Sequence, residues 1–224
     1  MNDMVALAPV RSVNLREIVY QQLRDAFMAG AFAPGDTLNL RDLADRFQTS
    51  MTPVREAVRR LVAEGALTDA PGRALRVPPV DLDRVVDIKR TRLALETLVT
   101  ELAVPRMSEV DISHLDRMLS TAEGRGAASA ADDLLFNREF HFGLYRHSGS
   151  PTLVSLIEIL WLQYGPVLNL VLNKADPTAR GSHADHRRIL EAVMAGDVAG
   201  AKTALTDDVS RPFDLLEAYL TNGQ

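Results

Sequence analysis

The stretch that most constrains this chain is Ser50–Gly65, SMTPVREAVRRLVAEG. Thr52 can cap free backbone N–H groups, and Pro53 fits the first helical position because it carries no N–H of its own. Val54, Ala57, Val58, Leu61 and Val62 recur at helical spacing and predict one buried stripe. Arg55, Arg59 and Arg60 lie off that stripe, and Gly65 ends the helix. A short rod with an apolar face and basic side chains elsewhere is what a reader of the DNA major groove requires. An ordinary surface helix with solvated arginines shows the same pattern, so the flanking sequence has to decide.

Upstream, Asn39–Phe47 reads as a short helix with Asn39 as cap and Leu40, Leu43, Ala44 and Phe47 inward. Only Gln48–Met51 separate it from the next helix, which is the turn length of a helix-turn-helix. Asn14–Ala29 predicts a preceding helix with Leu15, Ile18, Val19, Leu23 and Phe27 on one face. Downstream, residues 66–70 and 74–77 read as two short strands around a Pro-Gly-Arg turn, a wing. Together these segments predict a winged helix-turn-helix over residues 14–78, behind a flexible lead-in at 1–13.

These residues also carry a family resemblance. Gly30, the Pro34-Gly35-Asp36 element with Leu38, Leu43-Ala44 and Thr52-Pro-Val-Arg-Glu-Ala57 occur in one order over roughly 60 residues. In this the segment resembles the DNA-binding domain of the GntR superfamily of bacterial transcription regulators. The resemblance departs at Met51, where the family usually has an arginine. Candidate contacts to double-stranded operator DNA are Arg41, Ser50, Thr52, Pro53, Arg55, Arg59, Gly72 and Arg73. Arg55 sits in the first turn of the reading helix; Arg41 and Arg73 are placed to grip the phosphate backbone.

The formal net charge of −5 argues against a nucleic-acid binder until its distribution is considered. Residues 11–80 hold ten Arg against eight Asp and Glu, whereas residues 81–224 hold fifteen Lys and Arg against twenty-one Asp and Glu. Positive charge is thus segregated with the reading head, and a homodimer presenting two heads doubles it. One winged head reads too few base pairs for useful specificity, which is a second reason to expect a dimer. The chain has no cysteine, which excludes disulfides and thiolate metal sites and fits a cytoplasmic protein. No apolar run reads as membrane-spanning, and residues 1–10 do not form a signal peptide.

Pro78-Pro79 marks the end of the head, since neither residue continues a ladder or a helix. From Asp81 to about residue 222 every segment reads as helix. Six are expected: one from Asp81 to about Val104, one from Ser108 to about Ala122, and one from Ala131 to His147. The fourth opens at Ser150-Pro151 with a break or kink at Gly165-Pro166. The fifth opens at Asp176-Pro177, and the last, capped by Asp197, is kinked or split at Pro212. The fold class is therefore mainly α, a winged head followed by an antiparallel all-helical bundle. The bundle resembles the FadR-type C-terminal ligand-sensing domain (FCD) found behind GntR heads. The matching marks are Arg92-Leu-Ala-Leu-Glu96, Asn137-Arg-Glu-Phe-His141, His186-Arg-Arg-Ile-Leu-Glu-Ala192 and Gly196-Asp197.

Several polar residues fall where a core is expected. Val85, Ile88, Arg92, Leu95, Val99 and Leu102 form a heptad seam with Arg92 inside it. A buried guanidinium needs a partner. Either it pairs with a bundle carboxylate, or it faces a cavity and fixes an anionic ligand; the resemblance favours the second. Asn137 and His141 share one helix face, His186 shares another with Leu190 and Val193, and Asp208 lies on a stripe with Ala201, Ala204, Leu205, Pro212 and Leu215. The resemblance implies a divalent metal, Zn, Ni or Mn, at Asn137, His141, His186 and Asp208. Asn137 stands where the family has Asp, and Asp208 where it has His. Two imidazoles and a carboxylate still form a three-point site with open positions. Hydrogen bonding among these groups without a metal is the competing arrangement. His183 is a spare donor near the surface, and His114 and His147 read as surface residues.

The function expected is a ligand-responsive transcription regulator, a repressor, that senses a small carboxylate metabolite through Arg92, Asn137 and the metal. A metal-dependent enzyme or a pure metal sensor built on His141, His186 and Asp208 is the alternative. The chain has no Glu-x-x-His pair, His-Glu-x-x-His, Gly-x-Ser-x-Gly or phosphate loop, and an enzyme leaves the head unexplained, so no enzymatic activity is expected.

Overall fold

In the computed structural model, residues 15–69, 75–125, 129–174 and 183–222 are described. The head contains α1 (Leu15–Met28), β1 (Thr37–Leu38), α2 (Leu40–Arg46), α3 (Met51–Ala63) and β2 (Leu75–Arg76). Asn39 caps α2, its side chain accepting from the Arg41 backbone at 2.8 Å. The start of α3 differs from expectation: Ser50 is the cap residue, and Pro53 sits at the third helical position. Proline is tolerated there because the first-turn N–H groups have no intrahelical acceptor anyway.

The wing sheet is wider than expected. β1 pairs antiparallel with β2, Thr37 opposite Arg76 and Leu38 opposite Leu75, and Thr68 bridges Arg76 from the other side. The wing tip with Gly72 and Arg73, the lead-in, and the opening at Asp176-Pro177 lie outside the described residues. α1 buries Val19, Tyr20, Leu23, Phe27 and Met28, while Leu15 and Ile18 are exposed. Its inward face is therefore rotated from the one expected, because Tyr20 turns in to reach Glu64.

The bundle follows as α4 (Leu82–Ala103), α5 (Glu109–Gly124), α6 (Ala130–Tyr145), α7 (Pro151–Lys174), α8 (Ala184–Met194) and α9 (Val198–Asn222). Ser108 and Ser129 open α5 and α6 with reciprocal capping boxes to Asp111 and Asp132. The Asp197 carboxylate accepts from the Gly200 N–H at 2.9 Å at the start of α9. Pro166 and Pro212 split neither helix; α7 and α9 run through them. Residues 151–168 of α7 are, by length and mean hydropathy (1.2), long and apolar enough to cross a membrane, which amends the sequence reading. In the fold this apolarity serves the bundle core: Ile157, Trp161, Leu162, Tyr164 and Leu168 are buried.

Head and bundle meet along α1 and α7. Gly165 admits the close approach: a Cβ there would stand 2.2 Å from the Phe27 carbonyl oxygen. Arg24 pairs with Glu158 at 3.0 Å, and Asp25 with Arg138 at 3.1 Å. The carbonyls that close α3 are held from the bundle: Gln163 donates to Glu64 O at 2.9 Å and Arg84 to Gly65 O at 2.6 Å. Donors at a helix C-terminus satisfy its orphan carbonyls and favour its dipole.

DNA-reading head and candidate metal centre

α3 buries Val54, Ala57, Val58 and Leu61 and leaves Ser50, Met51, Thr52, Arg55 and Arg59 exposed, with Pro53 half-buried. Arg41 is exposed at the start of α2. Arg59 has a loose contact with Glu56 at 3.7 Å. Arg60 is differently engaged. Its guanidinium lies 3.6 Å from the Tyr20 ring centroid and pairs with Glu64 at 3.0 Å and Glu17 at 3.4 Å. Of the three arginines on α3, Arg60 thus fastens α3 to α1, while Arg55 and Arg59 project free of the core. They line a groove of about 840 Å³ between α3 and the strands, with Thr37, Asn39 and Asp69 on its other walls.

In the bundle, α6, α8 and α9 bring His141, His186 and Asp208 together. One donor atom from each lies within 4.8 Å of the others. His141 Nε2 is 3.0 Å from Asp208 Oδ2, and His186 Nε2 is 3.6 Å from Asp208 Oδ1. Asn137 joins them, its amide oxygen 3.0 Å from His186 Nε2. Phe136 and Phe140 pack edgewise on the His186 ring. His183, expected near the surface, is buried against Phe136 with ring centroids 4.4 Å apart.

Burial holds the His186 imidazole down at about 4, against the opposing pull of Asp208. Burial works against the Asp208 charge as well, but His186, His141 and Arg92 keep its carboxyl well below the usual range. A neutral imidazole and an ionised carboxylate are the forms that ligate metals. Among the described residues, buried His186 Nδ1 has no hydrogen-bond partner, so there the ring is committed only on its Nε2 side. Two imidazoles and one carboxylate around one point, with an amide oxygen beside His186, are an N/O set suited to Zn²⁺, Ni²⁺ or Mn²⁺. The residues present fit such an ion.

The same values set a pH dependence. In metal-free protein the unfolded chain protonates His186 near 6.5 and the folded chain only near 4. The unfolded state binds more protons between those values, so stability falls as pH falls through that window. Melting temperatures in chelator should decline accordingly, and His186→Gln should flatten the decline. Parallel curves for the two proteins would contradict this assignment.

Arg92 is buried with its partner on its own helix. Its Nε donates to Glu96 Oε1 at 2.6 Å and its Nη2 to Oε2 at 3.3 Å. The rings of Trp161 and Tyr164 lie 4.6 Å from the guanidinium carbon and Phe213 lies 5.7 Å away. The bundle carboxylate of the first reading is therefore Glu96. Trp161 Nε1 also donates to Glu96, at 3.1 Å. Tyr145 donates to Glu96 Oε2 at 2.5 Å and meets His141 Nδ1 at 3.0 Å. Burial and the Glu96 carboxylate raise the Tyr145 hydroxyl well above its ordinary pKa, so it remains a donor. Sequence reasoning missed Glu96, Tyr145 and Trp161 as parts of this centre. The four-residue spacings Arg92–Glu96 and His141–Tyr145 were the signals for two of them.

A winged head with exposed arginines on its reading helix, fastened to a helical bundle with a polar centre, defines a DNA-binding regulator. Residues 15–77 match the family described as bacterial regulatory proteins, gntR family, and residues 87–211 match the FCD domain. The HTH-type transcriptional regulator McbR of Escherichia coli (strain K12) is 30% identical over 209 residues, covering 92% of this chain and 95% of McbR. The uncharacterized HTH-type transcriptional regulator YdhC of Bacillus subtilis (strain 168) is 27% identical over 210 residues, covering 92% of each chain. The solved structure of E. coli McbR/YncC superposes with a TM-score of 0.84 at 31% identity, over 92% of this chain and 98% of that one. The chain belongs to the GntR family of bacterial transcription regulators, with an FCD domain behind the winged head.

Proposed function

We propose that this regulator is a repressor that senses a small carboxylate metabolite through a divalent metal in its bundle. The observation that carries the reading is the convergence of His141, His186 and Asp208 in the core of a chain whose head exposes Arg55 and Arg59. His141, His186 and Asp208 would hold the ion, with Asn137 beside them. The ion supplies a positive site for the effector carboxylate. Arg92 adds positive charge close enough to depress the Asp208 pKa; its Nε and Nη2 are the atoms bonded to Glu96, which leaves Nη1 as the group it would offer to an anion. A homodimer in the cytoplasm would present two heads to a pseudo-palindromic operator. The chemistry asked of the centre is binding and orientation, with no bond made or broken.

DNA contacts are assigned to Arg41, Ser50, Thr52, Pro53, Arg55 and Arg59 and, from the sequence alone, to Gly72 and Arg73. Arg55→Ala should weaken binding to a duplex selected from a random-sequence pool by about 1–3 kcal/mol if it reads a base. Arg41→Ala should weaken all sequences alike and lower the salt slope by about one. Fluorescence anisotropy at several salt concentrations measures both. Adding Zn²⁺ and a panel of short mono- and dicarboxylates to the wild-type complex tests sensing. Release by one carboxylate only when Zn²⁺ is present supports the reading; release governed by Zn²⁺ alone would make this a metal sensor.

A further inference from the structure

We infer that Tyr145 and Glu96 are positioning residues for His141: together they fix a ring proton on Nδ1 and turn Nε2 toward Asp208 as the ligating nitrogen. The inference rests on the metal reading above and extends it to residues outside the donor cluster. The site is a closed space in which every hydrogen can be counted. Glu96, Thr100, His141, Tyr145, Arg92 and Trp161 are all buried.

Glu96 receives four contacts, from Arg92 Nε (2.6 Å), Arg92 Nη2 (3.3 Å), Trp161 Nε1 (3.1 Å) and the Tyr145 hydroxyl (2.5 Å). Arginine and tryptophan nitrogens donate and cannot accept. Glu96 is ion-paired with Arg92 and both its oxygens are filled as acceptors, so it has no hydrogen to return. The single hydroxyl hydrogen of Tyr145 must point at Glu96. Its oxygen then offers only lone pairs to His141 Nδ1, 3.0 Å away, so that nitrogen carries the hydrogen.

With Nδ1 protonated, a neutral His141 ring has its lone pair on Nε2, and that atom faces Asp208 Oδ2 at 3.0 Å. Two acceptors at that distance repel unless a cation lies between them or the ring takes a second proton. A metal ion satisfies both and uses the nitrogen that the relay has left free. A second hydrogen bond that fixes tautomer and ring orientation is a general support of histidine ligands. Arg92 and Trp161 become the far end of this relay, since they hold Glu96 in place. The line Arg92, Glu96, Tyr145, His141 thus connects the buried ion pair of α4 to the donor cluster.

The test uses full-length protein labelled with ¹⁵N and stripped of metal by chelator, then titrated with Zn²⁺ against a competing chelator. Long-range ¹H–¹⁵N correlations locate the His141 ring hydrogens. Wild-type protein is expected to show a hydrogen on Nδ1. Tyr145→Phe should lower Zn²⁺ affinity by about ten- to a hundredfold. Tyr164→Phe removes a hydroxyl equally buried but without a partner among the described residues, and should leave the affinity unchanged. In Glu96→Gln the new amide donates to the Tyr145 oxygen, which frees the phenolic hydrogen for Nδ1 and shifts the ring hydrogen to Nε2. A wild-type ring protonated on Nε2 alone overturns the inference, as does equal Zn²⁺ affinity for wild type and Tyr145→Phe. Wild-type protein that takes up no Zn²⁺ sinks the metal reading separately. The position of the ring hydrogen then still decides: a hydrogen on Nδ1 upholds the relay, and its absence there overturns it.

Discussion

Glu96→Leu is expected to lower the unfolding free energy by about 3–5 kcal/mol, the cost of stranding a buried charge. Glu96 is fully buried and is the acceptor for Arg92, Tyr145 and Trp161, so one substitution strands the Arg92 and Trp161 donors and leaves the Tyr145 hydroxyl only His141 Nδ1 to turn to. The Arg92 guanidinium bears the largest part of that loss, because it is buried among the Trp161, Tyr164 and Phe213 rings. The double variant Arg92→Met, Glu96→Leu should regain most of the stability, since the pair is then replaced by apolar groups of similar volume. Urea denaturation of wild type, the single variant and the double variant measures the loss and its recovery. A single variant within about 0.5 kcal/mol of wild type, the range of ordinary surface substitutions, would show that Glu96 is not the anchor.

Gly165→Val is expected to disturb the molecule in a different place. The added Cβ would lie 2.2 Å from Phe27 O and 3.1 Å from Met28 Cα, and both are backbone atoms that cannot rotate away. Relief requires α1 to lift from α7, at a cost of about 3 kcal/mol, the upper range for overpacking. Lifting α1 also draws Glu64 and Gly65 away from Gln163 and Arg84, so the end of α3 loses its bundle-side donors. The head should then unfold or be cut by protease at lower temperature than the bundle. Calorimetry should resolve two transitions where wild type gives one. A single unshifted transition would mean that the head does not depend on α7.

Much of the architecture was legible because short-range chemistry marks it. Asn39 and Asp197 were read as caps, and the side chain of each accepts from a nearby backbone N–H. Positions were lost where a choice depends on what packs opposite. The expected seam of α4 held Leu95 and Leu102, whereas the buried set is Val85, Ile88, Arg92, Glu96, Val99, Thr100 and Ala103. A strict heptad places apolar residues inward and had no reason to place Glu96 there. The glutamate is buried because Arg92, Tyr145 and Trp161 converge on it from three helices. On α9 the expected stripe included Leu215, which is exposed, and missed Val209, Phe213 and Leu216. β1 is two residues long and gains its pairing only from β2 some 37 positions later, so local pattern carried no trace of it.

The metal donors were proposed through resemblance, and the fold brings His141, His186 and Asp208 within reach of one point despite the exchanged residues at 137 and 208. The pair of changes is compensatory in charge, and it moves the carboxylate from α6 to α9. The most direct measurement of whether this cluster is a metal centre is calorimetric titration of Zn²⁺ into chelator-treated full-length protein, with His186→Ala and Asn137→Asp measured alongside. The account predicts one ion per chain for wild type, no binding for His186→Ala, and tighter binding for Asn137→Asp, which adds a second carboxylate. Absence of binding heat in wild type, or equal binding by wild type and His186→Ala, would contradict it and leave the cluster a hydrogen-bonded core.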